Sequence, residues 1–426
     1  GVIVQLGGQT AISLVQGLEE SGVRLYGTTM DTIDQLEDRK RFYDFMKRVN
    51  VPHIPGVTAY DEVGLLEHSG KIGYPVLLRP SYVIGGQGMV IVTSREEMID
   101  YINSEDQAIV FPILIDAYYP GIEIEVDALT DGNDILIPGM FEHIEKAGVH
   151  SGDSMAVTPP FSLAEQVKQL VYDYTKKIAA GMDFKGIFNI QFVHYENQLY
   201  VIEINPRASR TVPILSKVTG LNMVDVTVKL LLGQSLRSLG LPTGYLPETN
   251  YYTVKAPIFS YSKLSGLDPI LEAEMKSTGE LISIGNTVEE AMKKAFAWSE
   301  GHIPPVYRQK GTMFVDVAEE ELAEFQPLAQ KIIDLGFTIV EEKQLLPGSR
   351  QLPFQEWVEQ DDAAAYISIP KKGYKTWNEQ RQQALKHRVS VITETTTLAM
   401  MLNSINGKAD EVISIQEWMH RTKSSV

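Results

Sequence analysis

Gln191, Glu203, Asn205 and Arg207 are the residues whose types and spacing most clearly could do chemistry together. They fall on two largely apolar stretches, 186–193 and 198–205, joined by the short polar link His194-Tyr195-Glu196-Asn197, which predicts an antiparallel hairpin. Side chains alternate along a strand, so Glu203 and Asn205 share a face, as do Asn189 and Gln191. With the turn near residues 196–197, pairing puts Gln191 roughly opposite Glu203. The hairpin then gathers hard oxygen donors, suited to Mg²⁺ or Mn²⁺ rather than to zinc or copper. One carboxylate holds magnesium weakly, so substrate phosphates would complete the shell. The next segment, Asn205-Pro206-Arg207-Ala208-Ser209-Arg210-Thr211, adds two guanidinium groups, suited to bidentate capture of phosphate or carboxylate. The competing reading is a surface hairpin with a solvated rim; the alternation of apolar residues with Glu203 and Asn205, and the arginines that follow, favour the metal–phosphate reading.

Three other segments carry polar chemistry. A strand ending at Arg79 runs into Pro80-Ser81-Tyr82-Val83-Ile84-Gly85-Gly86-Gln87-Gly88. Such a glycine-rich loop can lie over phosphates, although an ordinary turn fits it equally well, and the G-K-[ST] ending of a Walker loop is missing. Residues 141–154 hold His143, His150, Glu142, Glu145, Asp153, Ser151 and Ser154 without zinc spacing or a nucleophile elbow, and read as a polar loop at the mouth of a site. The charged run Glu37-Asp38-Arg39-Lys40-Arg41 reads, on composition alone, as a solvated helix face.

These residues need a scaffold, and the chain is long enough to give one. Its 426 residues suggest two to four domains at roughly 150 residues each. Strand and helix alternate at the start: a strand over 2–6, a helix to about 20, a strand over 23–26 and a polar helix over 31–49. Strands are then predicted at 75–80, 89–93, 110–116, 122–129 and 135–144, a long helix over 163–180, and helices at 213–218 and 223–232. An irregular connection over 239–250 follows, and another around 301–308. Beyond it βα alternation restarts, with strands at 313–317, 338–340, 365–369 and 389–392 and helices to about 335 and around 377–386. The division is expected to be 1–35, 36–235, 236–302 and 303–426. The formal charge of −17, from 38 basic and 55 acidic residues, argues against general nucleic-acid binding. The absence of cysteine excludes disulfides and thiolate chemistry. No membrane-length apolar run and no signal peptide are evident, so a cytoplasmic protein with no membrane partner is the expectation. The opening at Gly1, inside an apolar strand, predicts a piece of a longer chain.

The motifs together resemble one family. Asp38–Phe42 (D-R-x-x-F), Arg79–Gly86 (R-P-S-Y-V-x-G-G), Glu142–Ser154 (E-H-I-E-x-A-G-V-H-S-G-D-S), Asn189–Phe192 (N-I-Q-F) and Glu203–Thr211 (E-I-N-P-R-A-S-R-T) are similar to the second half of the carbamoyl-phosphate synthetase large subunit. The likeness runs from residue 1 to about 300 and continues more loosely into the family's C-terminal regulatory domain. It implies mixed α/β and α+β architecture: the tail of a pre-ATP-grasp domain, an ATP-grasp domain with a C-terminal extension, and a Rossmann-like, methylglyoxal-synthase-like regulatory domain. It further implies that Gln191, Glu203 and Asn205 hold two Mg²⁺ or Mn²⁺ ions, and that Arg39, Arg79, Arg207 and Arg210 face phosphates or carbamate, the last two as the catalytic pair. Gly85 and Gly86 would belong to the flap over ATP. Ala117, Tyr119 and Glu123 would wall the adenine and ribose, and Gly148, Val149, His150 and Ser151 would line the nucleotide.

The implied reaction is phosphorylation of carbamate by MgATP, the last step of glutamine-dependent carbamoyl phosphate synthesis from bicarbonate, ammonia and two ATP, for arginine and pyrimidine biosynthesis. The full-length enzyme would be an oligomer with a glutaminase small subunit, carbamate arriving by a tunnel from a first half that this stretch is expected to lack. Glu145, Asp153 and Glu274 match positions linked to an ornithine effector. The tail departs from the nucleotide-regulated pattern: Ile367-Ser368-Ile369-Pro370-Lys371-Lys372-Gly373 stands where a T-T-S-G-like loop is expected, and no Asn-Gly-Gly follows Thr395-Thr396-Thr397-Leu398. Weak or no binding of UMP or IMP is the expectation; an arginine-dedicated paralogue is one reading and a role shared with pyrimidine synthesis the other. The rivals are another ATP-grasp carboxylase or ligase, and a non-catalytic nucleotide-binding module.

Overall fold

Residues 1–80, 88–104, 109–261, 263–264, 266–299, 307, 310–371, 378–407, 414 and 416–417 are described by a computed structural model. Among them the chain forms four sheets. A two-stranded parallel piece at the start pairs Val2–Ile3 with Leu25–Tyr26. A small antiparallel sheet runs Gly56–Ala59, Ile113–Ala117, Val76–Pro80, Val90–Val92, covered by the helices Glu62–Ile72 and Arg95–Asn103. The large sheet runs Gln198–Asn205, Gly186–Tyr195, Ile122–Thr130, Met140–Lys146, Ala156–Thr158, Tyr252–Ile258, Gly279–Gly285, with Ile135–Ile137 and Gly244–Tyr245 as a side branch. Five parallel strands form the last sheet, in the order Arg350–Gln351, Thr338–Glu341, Thr312–Val317, Ala363–Ile369, Ser390–Ile392.

The strand Ile122–Thr130 sits at the centre of the large sheet and is buried on both faces. Its sequence alternates: Ile124, Val126 and Ala128 join one apolar core, while Glu123, Glu125 and Asp127 point to the opposite face. The helix Glu165–Gly181 covers the apolar face through Val167, Val171 and Ile178. The helix Val288–Ser299 joins the large sheet to the last one: Ala291, Met292 and Ala295 share a core with Val254, Met313 and Leu398.

Several predicted elements differ in the structure, among them the strand over 2–6, which is only Val2–Ile3, and the helix to about 20, which is two, Gly8–Ile12 and Val15–Glu20. The helix expected over 31–49 is two, Met30–Glu37 and Arg39–Val49, because Asp38 is extended (φ −71°, ψ 120°) and its carboxylate caps the second helix at the Arg41 N–H, 2.9 Å away. The strand expected over 135–144 breaks at Pro138-Gly139 into Ile135–Ile137 and Met140–Lys146. The strand expected over 110–116 starts only at Ile113, after Pro112, which lacks the N–H a ladder needs. The irregular connection over 239–250 contains the short strand Gly244–Tyr245. Of the stretch 301–308 only Tyr307 is described, and of the helix predicted around 377–386 the described part is Glu379–Lys386.

Candidate functional site

The hairpin forms as its spacing predicts. Glu196 and Asn197 take left-handed φ of 47° and 62°, the conformation of a two-residue turn that suits strand twist. Gln191 pairs with Glu203 and Asn189 with Asn205. Beyond Gln191 the register slips by one, so that Phe192 faces Val201. Such a bulge re-aims side chains beside it.

The oxygen patch is held from both sides. Asn205 Nδ2 donates to Glu203 Oε1 at 2.9 Å, and Gln191 Nε2 donates to Ser151 Oγ at 3.2 Å. The two amide nitrogens are thereby engaged within the protein, and the outward atoms Gln191 Oε1, Asn205 Oδ1 and Glu203 Oε2 are all oxygens, the second accepting from Arg207 Nη2 at 3.5 Å and the third facing Arg79. Among the described residues no group of three His, Asp or Glu gathers as a metal cluster by itself. The donors therefore fit a hard divalent ion that shares its shell with ligand phosphates.

Cationic side chains flank the patch. Arg79 Nη1 lies 3.9 Å from Glu203 Oε2, and Arg79 and Arg39 approach Asp116 Oδ2 at 3.7 and 3.5 Å. Past Asn205, the Arg207 guanidinium donates to Gln9 Oε1 at 3.3 Å and to the Ala208 carbonyl at 3.1 Å. Its loop is clamped by the first residues of the chain: the Ala208 N–H donates to the Gln5 carbonyl (2.8 Å) and the Thr28 hydroxyl to the Pro206 carbonyl (2.7 Å). Arg210 pairs with Glu280 at 3.5 Å.

The loop 148–151 reaches the patch through Ser151, whose carbonyl accepts the buried Lys255 ammonium. Gly148 has φ 112°, and a β-carbon there would lie 2.8 Å from the Tyr118 ring, so a larger residue is excluded by both conformation and space. Val149 bridges to Ala147. The His150 N–H donates to the Glu272 carbonyl at 2.7 Å, and burial pulls the His150 imidazole down, favouring its neutral form, which accepts at Nδ1 from the Gly152 N–H. Ala117 ends its strand with its N–H bound to the Pro55 carbonyl. Tyr119 stacks on Tyr195, centroids 5.2 Å apart and planes at 8°, and tilts against Tyr200. This aromatic group stands at the hairpin tip, four residues or roughly 13 Å along the strand from Gln191. Gly85 and Gly86 lie outside the described residues.

A buried polar layer lies behind the patch; the sequence singles out Glu123, His143 and Asn189 separately without grouping them, and Glu125 and Asp127 are absent from that reading. Glu123 Oε1 and Glu125 Oε2 lie 3.8 and 3.4 Å from the two nitrogens of the buried His143. Asn189 Nδ2 donates to Glu125 at 2.9 Å and to Asp127 at 3.2 Å, and Ser209 donates to Asp127 at 2.7 Å. The acid–apolar alternation of Ile122–Thr130 is the signal that could have revealed it, since three acids on one face of a central strand must find partners.

Burial pushes Glu123 from near 4.5 up to about 7, against the opposing pull of His143. A raised carboxyl favours folding while it stays protonated, so its contribution is complete below the unfolded value and is lost as pH rises through about 7. Glu123→Gln is expected to flatten the fall in Tm between about pH 5 and 8. An unchanged slope would contradict the assignment.

Of the residues expected to face an effector, Glu145 and Asp153 are held by hydrogen bonds. Glu145 accepts from Ser154 Oγ (2.6 Å), the Met155 N–H (2.7 Å) and Thr397 Oγ1 (2.6 Å). Asp153 accepts the N–H groups of Lys276 and Ser277 at 2.7 and 2.9 Å. Glu274 lies between these and Glu272, whose carbonyl holds His150.

The architecture has known counterparts. Two of them are the biotin carboxylase of Campylobacter jejuni in its βγ-ATP complex (TM-score 0.52, 18% identity, 67% of this chain and 71% of that one) and the biotin carboxylase domain of Hydrogenobacter thermophilus 2-oxoglutarate carboxylase with MgADP, ADP and bicarbonate (TM-score 0.53, 21% identity, 67% and 71%). They define a mixed α/β, ATP-grasp-like fold. Residues 38–239 match the family model described as carbamoyl-phosphate synthase L chain, ATP binding domain. The chain is 55% identical over 410 residues to the arginine-specific carbamoyl phosphate synthase large chain of Halalkalibacterium halodurans, covering 96% of this chain and 38% of that one. It is 44% identical over 430 residues to the large chain of the same description from Geobacillus stearothermophilus, covering 100% and 39%. The chain belongs to the carbamoyl-phosphate synthase large-chain family, as its motifs imply, and spans about two fifths of the length of these relatives. Among the described residues no helix is long and apolar enough to cross a membrane.

Proposed function

We propose that this chain carries the carbamate-phosphorylating site of an arginine-dedicated carbamoyl phosphate synthase. The observation that carries the reading is the register of the hairpin, Gln191 opposite Glu203 with Asn205 on the same face, flanked by Arg79 and Ser151. ATP is the nucleotide, and Mg²⁺ or Mn²⁺, two ions in all, would be held by Gln191, Glu203 and Asn205. Bound there, the ions would neutralise phosphate charge and draw it into line. Arg39 and Arg79 bind phosphate oxygens, and Arg207 and Arg210 orient carbamate and steady charge in the transition state. Ala117, Tyr119 and Glu123 would wall the adenosine, and residues 148–151 would border its phosphates.

A carbamate oxygen attacks the γ-phosphorus as the bond to the ADP oxygen breaks. Carbamate is already anionic, so no proton has to be removed, and positioning with charge neutralisation suffices. Burial of Glu125 and Asp127 keeps their charge from the phosphates, which would meet the arginines and the oxygen patch of the hairpin.

The division 1–35, 36–235, 236–302 and 303–426 belongs to this reading, with the last piece a methylglyoxal-synthase-like regulatory domain that binds UMP and IMP weakly or not at all. So do an ornithine site at Glu145, Asp153 and Glu274, a glutaminase small subunit as partner of the whole enzyme, and a role in supplying arginine rather than pyrimidine synthesis. The test is calorimetry with ADP, with and without Mg²⁺, beside an assay for bicarbonate-dependent ATP hydrolysis with biotin. Binding strengthened about tenfold or more by magnesium, with no biotin-dependent hydrolysis, supports the reading. Metal-independent binding, or turnover with biotin, opposes it.

A further inference from the structure

Asp116 connects Arg39 and Arg79, yet only one of its oxygens faces them. Oδ2 lies 3.5 Å from Arg39 Nη2 and 3.7 Å from Arg79 Nη2. Oδ1 and the hydroxyl of Tyr43 are both buried, and each is without a hydrogen-bond partner among the described residues. The two atoms converge over Gly56, which pairs directly with Asp116 across the small sheet. A β-carbon at Gly56 would lie 2.2 Å from Asp116 Oδ1 and 2.4 Å from the Tyr43 hydroxyl, so only glycine leaves room for them to meet. Tyr43 stands one helical turn after Arg39, on the same face of Arg39–Val49. Its ring is fixed by stacking on His53, centroids 4.6 Å apart and planes at 16°.

We propose that Tyr43 is a positioning residue: its hydroxyl donates to Asp116 Oδ1, turns Oδ2 toward the two guanidinium groups, and so holds Arg39 and Arg79 as one phosphate-gripping pair. The inference rests on the reading of those arginines as phosphate ligands. Burial, with the Asp116 charge as second cause, pushes the Tyr43 phenol up to about 12, so the hydroxyl keeps its proton and remains a donor at neutral pH. A carboxylate with one free rotation about its last bond gains a fixed orientation from such a donor, and the long arginine side chains lose less freedom when they bind.

The experiment titrates MgADP and inorganic pyrophosphate, calorimetrically, into wild type, Tyr43→Phe, Asp116→Asn and the double variant. Tyr43→Phe removes only the hydroxyl and leaves the ring on His53. Its affinity for both probes is expected to fall about tenfold, with the apparent KM for ADP rising in step and kcat changing less than about twofold. In the Asp116→Asn background the same substitution is expected to add nothing, because the hydroxyl acts through that carboxylate. Unchanged affinity in Tyr43→Phe, or losses that add in the double variant, would overturn the proposal while leaving the nucleotide site standing. A wild type that binds neither probe would remove the reading on which the proposal rests, and the proposal with it.

Discussion

Glu203→Ala is expected to lower ATP formation from ADP, Mg²⁺ and carbamoyl phosphate by about a thousandfold or more. Glu203 is the one carboxylate in the oxygen patch of the hairpin, opposite Gln191 and beside Asn205. With it gone, two neutral amides would face a divalent ion and several phosphates. The fold should survive. The Glu203 side chain is 37% exposed, and its contacts are the Asn205 amide and an Arg79 guanidinium at 3.9 Å. Glu203→Gln keeps a side chain of the same shape and should be almost as damaging, because charge rather than shape is lost. Activity near that of wild type in both variants, with an unchanged Tm, would show that the hairpin does not carry the reaction.

The largest expected effect on stability is at Arg381. This arginine is 2% exposed and makes a two-pronged pair with Asp268, Nε at 2.8 Å and Nη2 at 2.7 Å, while Nη1 reaches Ser368 at 3.2 Å. It ties the parallel sheet to residues 267–269, a junction to which Gln382 and Thr393 add bonds to the Leu267 and Pro269 carbonyls. Arg381→Ala strands the Asp268 carboxylate and leaves a cavity, at a cost of about 3–5 kcal/mol. Urea denaturation followed by tryptophan fluorescence measures it. The double variant Arg381→Met with Asp268→Leu should recover most of the loss, since both charges are then absent. A cost below about 1 kcal/mol in Arg381→Ala would mean that the pair is replaceable by solvent.

Much of the site was legible because its central piece is local. The pairing of Gln191 with Glu203 follows from strand period and a turn at Glu196-Asn197, with no knowledge of the rest of the chain. Arg79 at a strand end and the 148–151 loop were likewise readable as site material. The buried layer was not. Glu125, His143, Asn189 and Lys255 come from four strands, and only the order of the large sheet brings them behind the hairpin. Asp116 escaped notice for the same reason: nothing in the run Ile113-Leu114-Ile115-Asp116 reveals that two arginines from distant elements converge on its last residue. The break at Asp38 was obscured by continuous helical polarity on both sides, where one extended residue with a capping carboxylate outweighs the pattern.

The most direct test of the account is ATP formation by the wild-type chain supplied with ADP, Mg²⁺ and carbamoyl phosphate. The account predicts ATP only when all three are present, and none when magnesium is chelated. A folded chain that binds MgADP yet forms no ATP from carbamoyl phosphate would contradict it.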